Sequence, residues 1–188
     1  MGILFVNDCV APSESTPWAD ASGLAYNIYA WSDIRVAPSA TGFDPDVDYG
    51  KIGVKKYGGS FTLSRFFIPF DLRSYAGSWI NATIKLNFKG IGVMQNFTSP
   101  KLCFVLLQRV AQSDPFTYQN DAFPLPLDGF ENMYLASDSI VDTSGLVDGD
   151  EIQFTLNAAG LSYMNSSMGK IAEFAVVEYD HDFLNVSP

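Results

Sequence analysis

Apolar and polar side chains alternate from Ile80 to Lys89 in the stretch "WINATIKLNFK", which is the clearest structural signal in the chain. Ile80, Ala82, Ile84, Leu86 and Phe88 alternate with Asn81, Thr83, Lys85, Asn87 and Lys89. Successive side chains of a β-strand point to opposite faces of the sheet. A period of two over ten residues therefore predicts a strand with one buried face and one face in water.

Several other segments also predict strands. The segment "FTLSRFFIPFDL" is apolar on both faces around Phe66–Ile68, which favours a central position in a sheet. Pro69 cannot donate to a strand ladder, so it predicts a bulge or a strand end. Further strands are predicted for "KLCFVLLQRV", "DEIQFTLN", "KIAEFAVVEYD", "YGKIGVKKYG" and, with looser alternation, "AYNIYAWSDIRVA".

One helix is predicted in "NAAGLSYMNSS". Asn157 is the expected N-cap, because its side chain can accept a backbone N–H of the first turn. The residues predicted to line its apolar face are Ala159, Leu161, Tyr163 and Met164.

The composition fits an all-β protein. Only 17% of the 188 residues are charged, and 15 Gly, 10 Pro, 15 Phe and 9 Tyr are typical of strands separated by turns. We predict an antiparallel β-sandwich with one short helix, with a barrel as the alternative. Residues 1–20 are predicted to form an extended N-terminal arm and residues 21–188 a single sandwich domain, with a long surface loop at 112–138.

Charge and cysteine content restrict the partners and the compartment. A formal net charge of −10, with no basic run longer than Lys55-Lys56, argues against a nucleic-acid partner. The first residues lack the features of a signal peptide and of a membrane span, so synthesis in a cytosol without conventional export is expected. Cys9 and Cys103 are then predicted to be buried free thiols, with a disulfide between them as the alternative. The N-x-[ST] triplets at Asn81, Asn96, Asn165 and Asn185 are interpreted as chance.

The only histidine, His181, stands between Asp180 and Asp182 in "VEYDHDFLNVSP". A carboxylate beside an imidazole can orient it for acid–base or metal chemistry. Neighbouring residues of a strand point to opposite faces, however, so Asp180 and His181 would not converge on one ion. We therefore predict the solvated end of a strand here.

The aspartates of "GFDPDVDYGK" resemble the start of a calcium loop, but the match to an EF-hand fails. Asp44, Asp46 and Asp48 alternate, yet the glycine expected at position six is Tyr49 and the final glutamate is Lys55. We predict no tight calcium binding; an irregular calcium site is the alternative. No phosphate loop or nucleophile elbow occurs elsewhere, so no catalytic, cofactor-binding or metal residue is assigned, and we expect neither an enzyme nor a cofactor.

The three tryptophans are candidates for contact or for stacking on sugar rings. Trp79 opens a predicted strand and is expected in the core or at its rim. Trp18 follows "SESTP" in the predicted arm, where it could anchor to a neighbouring molecule. Packing on its own domain is the alternative for each of these two residues and for Trp31.

The stretch "LSRFFIPFDLRSYAGSWINATIKLNF" resembles a pattern of jelly-roll sandwich modules of the DNRLRE and carbohydrate-binding-like type. In these modules a strand ending in Phe-Asp-Leu meets a short helical turn and then a strand of the form I-x-x-A-x-L-x-L. The matching positions are Phe70-Asp71-Leu72, the turn Ser74–Ser78, Ile80, Ile84 and Leu86, while Thr83 stands near the usual Ala. Such a turn lets the next strand cross to the opposite sheet, and Asp71 can accept backbone N–H groups there.

The final 37 residues, Ile152–Pro188, are similar to the closing part of such modules in phage virion proteins, which follow L-N-x-x-G-L-x-x-I and D-x-x-N-x-x-P patterns. The matching positions are Leu156, Asn157, Gly160, Leu161, Asp182, Asn185 and Pro188. The resemblance implies a jelly-roll fold. It leads us to expect a non-enzymatic structural component of a virus (phage) particle, either a capsid decoration or a fibre or tail attachment module.

The expected location is the virion, after synthesis in the host cytoplasm. The expected partners are other virion proteins and further copies of the chain, as a homo-oligomer, with no nucleic acid and no membrane. The alternative function is a carbohydrate-binding or adhesin module that recognises a surface glycan.

Overall fold

The structure is a computed structural model, and it describes residues 18–22, 31, 42–44, 52–57, 60–88, 101–106 and 133–188. These residues form mostly antiparallel sheet with two short helices, which confirms the all-β prediction. The strands are β1 Trp18–Ser22, β2 Gly42–Asp44, β3 Gly53–Tyr57, β4 Ser60–Asp71, β5 Thr83–Asn87, β6 Lys101–Leu106, β7 Tyr134–Leu135, β8 Val141–Asp142, β9 Glu151–Thr155 and β10 Ile171–Glu178. The helices are α1 Ala158–Ser166 and a π-helical turn, Tyr179–Phe183, which we call the tail turn.

The larger sheet has the strand order β2-β1-β4-β10-β6-β7. One edge of β4 has two neighbours, because β3 pairs with its first half and β10 with its second half. Strand β8 pairs with β6 beside β7. Strand β4 has neighbours on both edges, as its two apolar faces predict. The first strand of this sheet among the described residues starts at Trp18, so the sheet includes three residues, Trp18–Asp20, that the sequence assigns to the arm.

The prediction of a bulge or strand end at Pro69 is wrong. Strand β4 continues to Asp71, and Pro69 lies opposite Glu173. Because the N–H of Leu72 donates to the carbonyl of Lys170 at 2.9 Å, the alternation of an antiparallel ladder puts Pro69 at a non-hydrogen-bonded pair. Its missing N–H therefore removes no bond to β10.

Strands β5 and β9 form a separate two-stranded sheet. Burial along β9 alternates without exception, with Ile152 and Phe154 buried and their neighbours exposed, and Ile84 of β5 is buried opposite Phe154. The predicted alternating strand is confirmed over Thr83–Asn87. It begins only at Thr83, since Ile80 is 78% exposed in the loop before it.

The large sheet is buried on both faces. The face toward β5, β9 and α1 carries the inner cluster, in which Phe104 stacks on Phe154 and on Phe174 with ring centroids 5.3 and 5.0 Å apart. Each such ring pair adds about 0.5–1.5 kcal/mol to the stabilisation from burial alone. The opposite face carries the outer cluster, which includes Trp31, Val54, Phe61, Leu63, Cys103, Val105, Ala175 and Val177.

Helix α1 begins where the sequence predicts. Asn157 is its N-cap, and its side-chain oxygen accepts the N–H of Gly160 at 2.9 Å. Met164 is buried and Leu161 and Tyr163 pack at the edge of the inner cluster, but Ala159 is exposed, so that part of the predicted face is wrong. The Tyr163 hydroxyl accepts the N–H of Glu173 at 3.2 Å, which supplies a partner to β10 beyond the described end of β6.

Other predictions need correction or fall outside the described residues. Trp31, the one described residue of "AYNIYAWSDIRVA", has helical backbone rather than strand. The predicted loop 112–138 is described only from Met133, and there it forms β7 and contains two fully buried residues, Ala136 and Ser137. Cys103 is a buried free thiol as predicted, whereas Cys9 lies outside the described residues. No helix that the structure describes is both long and apolar enough for a membrane crossing.

Candidate functional site

A buried ion pair joins β4 to the tail turn. The Nε and Nη2 atoms of Arg65 each donate to one carboxylate oxygen of Asp182 at 2.6 Å, and both side chains are 0% exposed. Arg65 lies on the same face of β4 as Phe61 and Leu63, so it enters the outer cluster. Burial lowers the pKa of its guanidinium, and Asp182 opposes that shift. The side-on, two-bond geometry is the strong form of this pair.

Glu178 holds the tail turn in place. Its carboxylate accepts the backbone N–H groups of Asp180, His181 and Asp182 at 3.0, 2.6 and 3.1 Å. Three unsatisfied donors at the start of a helical turn form an anion-binding site, and here the chain's own carboxylate fills it. Burial is the largest influence on Glu178 and raises the pKa of its carboxyl, although the three donors act in the opposite direction.

The prediction of a solvated strand end at Asp180–Asp182 is therefore wrong. The strand stops at Glu178, and the next residues turn through a π-helix that buries Asp182 completely. Asp180 reaches Lys101 at 3.3 Å, Asp182 binds Arg65, and Nδ1 of His181 lies 2.9 Å from the carbonyl of Val186. The three side chains do not converge on a common point.

Cys103 lies close to this ionic cluster but is not a reactive thiol. Burial raises its pKa strongly, and the charges of Asp182 and Glu178 raise it further. A protonated thiol is a poor nucleophile. Together, Arg65, Asp182, Glu178 and Cys103 form the most site-like cluster of the described residues, and it is closed to solvent.

The loop between the two sheets, residues 72–82, which we call the corner, carries the most exposed large apolar side chain of the described residues, Ile80. Tyr75 and Ile80 are 42% and 78% exposed, and the ring of Tyr75 lies 6.2 Å from that of half-buried Trp79. The side chain of Asn165 accepts the N–H of Trp79 at 2.7 Å and donates to its carbonyl at 2.9 Å. The N–H of Tyr75 donates to the carbonyl of Leu72 at 3.1 Å. The corner is thus an exposed segment on a fixed base.

The corner connects β4 of the large sheet to β5 of the small sheet, as the Phe70-Asp71-Leu72 pattern predicts. Only the backbone of Asp71 is described, so the expected role of its carboxylate stays a prediction. Of the calcium-loop aspartates, Asp44 ends β2, while Asp46 and Asp48 lie outside the described residues. Among the residues that the structure describes, no three His, Cys, Asp or Glu side chains are grouped to hold a metal ion.

The tryptophans occupy three different settings. Trp31 packs edge-on against Phe61 in the outer cluster, 5.6 Å between ring centroids. Trp79 lies at the rim of the inner cluster, as predicted. The backbone of Trp18 pairs with Phe66 in the large sheet, which places it in the domain rather than in an arm.

Comparisons with protein-family models, with curated proteins and with solved structures found no match to this chain.

The buried ion pair is a feature that the sequence patterns did not predict. The sequence does contain a signal for one of the two residues. Arg65 interrupts an apolar run and falls on the same face of the strand as Phe61 and Leu63. Its partner Asp182 lies 117 residues away, and no local pattern could indicate that contact.

Proposed function

We propose that this chain is a non-enzymatic structural component of a virus particle, acting as a capsid decoration or as a fibre or tail attachment module. The observation that carries the proposal is the contrast between two places in the fold. The strongest cluster of charged groups, Arg65 with Asp182 and Glu178, is sealed from solvent, whereas the apolar side chains of the corner face outward on a fixed base.

The sealed cluster supports a structural role because a substrate could not reach it. Its groups bind one another and the backbone, and together they attach the tail turn to the outer face of the large sheet. The exposed corner supports a contact role, because tyrosine and tryptophan are enriched where protein interfaces gain most of their binding energy. The similarity of the chain's closing segment to phage virion modules is the reason that we name a virus particle as the assembly.

We further propose that the two sheets belong to a jelly-roll sandwich. The crossing from β4 to β5 at the corner and the return through α1 to β10 support it. An experimentally determined structure of the whole chain, read for strand order in both sheets, tests this directly. Two stacked antiparallel sheets joined by jelly-roll crossings would support it, and a closed barrel would contradict it.

The virion role can be tested by mass spectrometry of purified particles from the virus whose genome encodes the chain. The expected result is the chain in a fixed copy ratio to the major capsid or tail protein, which survives high-salt washing. Neighbouring capsid or tail reading frames would agree with it. Abundant expression in infected cells, with none of the chain in purified particles, would contradict the proposal.

A second candidate function is recognition of a surface glycan. The Tyr75–Trp79 pair favours it, since two aromatic rings on a fixed loop can stack on a sugar ring. A glycan array followed by titration of tryptophan fluorescence tests this function. A saturable hit that Tyr75→Ala abolishes and Tyr134→Ala leaves intact supports glycan binding; no hit leaves the structural role alone.

A further inference from the structure

The tail turn and the residues that follow it, 179–188, form a segment that we call the strap. Strand β10 ends at Glu178, and beyond that residue the backbone pairs with no strand in the described part of the chain. Two N–H groups after the turn donate to carbonyls inside the strap itself, both at 3.0 Å. The strap is therefore attached to the large sheet without being one of its strands.

Side chains from four neighbouring strands attach the strap to the outer face of the large sheet. The contacts are Lys56 of β3 with the carbonyl of Pro188, Arg65 of β4 with Asp182, Lys101 of β6 with Asp180, and Glu178 of β10 with the N–H groups of the turn. Each contact has a charged group on at least one side. The strap thus lies across the strands and is held mainly by polar contacts.

The residue that anchors the strap is a charged one. Of residues 179–188 only Asp182 is buried, while the rings of Tyr179 and Phe183 stack 5.5 Å apart and are partly buried against the outer cluster. When the strap opens, Asp182 and Arg65 both regain water, and their recovered hydration offsets much of the lost attraction. Segments with few buried apolar contacts open at a lower free energy than the whole fold.

We propose that the strap opens as a unit while the two sheets stay folded, and that the surface uncovered around Arg65 binds the strap of a second copy. Arg65 shares this face of the sheet with Leu63 and Cys103, so its guanidinium is set in an apolar surface. Such a surface fits a carboxylate beside an aromatic ring, which is the chemistry of Asp182 and Phe183. Exchange of an identical element is a low-cost route to a dimer, because every contact is kept.

The inference rests on the proposed contact function and deepens it by naming a partner and a surface. The structure itself shows the occupant, since the strap already lies on this surface in its own chain. Both side chains of the ion pair are 0% exposed, so the surface can accept a second strap only after the first has opened.

Hydrogen–deuterium exchange of the full chain tests the opening. The amides of Asp180, His181 and Asp182 are bonded to Glu178, and their protection factors should be at least about tenfold lower than those at the centre of β10. Asp182→Asn should lower them by a further hundredfold or so. The control Asp180→Asn, at a partly exposed pair, should change them by no more than about fivefold. Equal protection in the strap and in β10 would overturn the inference.

The thiol of Cys103 reports whether opening uncovers the outer cluster. It is 0% exposed in the cluster against which the strap packs. In a Cys9→Ser background, a thiol reagent should label Cys103 faster than the chain unfolds globally, and Asp182→Asn should raise the rate in proportion to its effect on exchange. Labelling at the rate of global unfolding would show that the strap uncovers nothing, and would overturn the inference.

A fluorescent peptide of the sequence Glu178–Pro188 tests binding to a second copy. Fluorescence anisotropy should show saturable binding to the full chain that carries Asp182→Asn, whose own strap is weakened. Wild-type chain should bind the peptide at least about tenfold more weakly, because its own strap competes. A peptide that itself carries Asp182→Asn should also lose about tenfold or more.

Equal binding of the two peptides, or no binding up to the solubility limit, would overturn the inference. If the Asp182→Asn chain does not fold, titration of wild-type chain with both peptides decides in the same way. A chain that incorporates into particles although its strap stays closed would leave the proposed virion function standing without this inference.

Discussion

Several single residues stabilise the closing segment of the chain. Asn157 caps α1, Asn185 has a positive φ of 56°, and the carbonyl of Pro188 accepts a hydrogen bond from Nζ of Lys56 at 2.9 Å. Asp182 neutralises Arg65 in the outer cluster. Four residues of the pattern that resembles a virion module therefore stabilise the closing segment: Asn157, Asp182, Asn185 and Pro188.

Asp182→Asn leaves the Arg65 guanidinium buried against a neutral amide. We expect it to lower the free energy of unfolding by about 3–5 kcal/mol, the cost of breaking a buried ion pair from one side. Urea denaturation measures the change. The matched control is Asp180→Asn at the partly exposed pair with Lys101, for which a loss of no more than about 1 kcal/mol is expected.

The paired replacement Arg65→Met with Asp182→Leu should recover most of that loss, because well-packed apolar residues can replace a buried ion pair at little cost. If Asp182→Asn is as mild as Asp180→Asn, the buried pair does not stabilise the tail turn as described.

Gly160 is required by a close approach of two backbones. A Cβ on this residue would overlap the carbonyl oxygen of Ala136 and lie 3.0 Å from its carbonyl carbon. Gly160→Ala should therefore destabilise the fold by roughly 1–3 kcal/mol, although alanine favours helix. Thermal unfolding checks it against Ser162→Ala, an exposed change on the same helix; equal effects of the two would show that the contact tolerates a methyl group.

Among the elements, the strands were the most predictable from the sequence. Their signal is local, since period-two burial in β5 and β9 follows from single side chains. The ends of the strands were less predictable, because contacts with distant residues determine them. The π-helical tail turn exists because Glu178 accepts three N–H groups, and Pro69 remains within β4 because its nitrogen faces away from β10.

The side-chain amide of Asn165 on α1 binds the backbone of the corner at Trp79 and should hold the corner in place. Asn165→Ala removes both bonds to the Trp79 backbone, and Asn165→Asp keeps only the acceptor. We expect losses of about 1–2 kcal/mol for alanine and less for aspartate. Backbone amides of the corner should exchange faster by hydrogen–deuterium exchange, in the same order. Unchanged exchange in both variants would show that Asn165 does not fix the corner.

The cap of the tail turn makes stability depend on pH. Burial raises the folded-state pKa of Glu178 above the ordinary value of 4.5, so the folded state binds its proton more tightly than the unfolded chain. This contribution to stability is complete below 4.5 and is lost as pH rises through the raised pKa. Wild-type chain should become less stable over that range.

Glu178→Gln should lack this slope, although its overall stability is lower because one acceptor becomes a donor. Urea midpoints taken at intervals from about pH 4 to pH 8 measure the difference between the two proteins. The exposed carboxylates Asp142 and Glu151 have lowered pKa values, so their contributions are lost only as pH falls below the ordinary range. Parallel slopes for variant and wild type would contradict the role assigned to Glu178.

For the molecule as a whole, composition and alternation were sufficient to predict two antiparallel layers. They did not predict which sheet each strand joins or that the large sheet is buried on both faces, since these depend on contacts between distant residues. Cys103 and Phe104 show the point: both are apolar neighbours on β6, yet one enters the outer cluster and the other the inner cluster. The exposed corner could not be predicted from the sequence either, because Ile80 has the pattern of a buried strand residue but lies exposed in the corner.

The proposed function requires contact at the exposed corner and no chemistry at the sealed ionic cluster. Hydrogen–deuterium exchange on the free chain and on the chain incorporated into particles tests it most directly. We predict added protection in residues 73–82, with little change on the exposed outer face of β5 and β9. Protection confined to that outer face, or none in residues 73–82, would contradict this function.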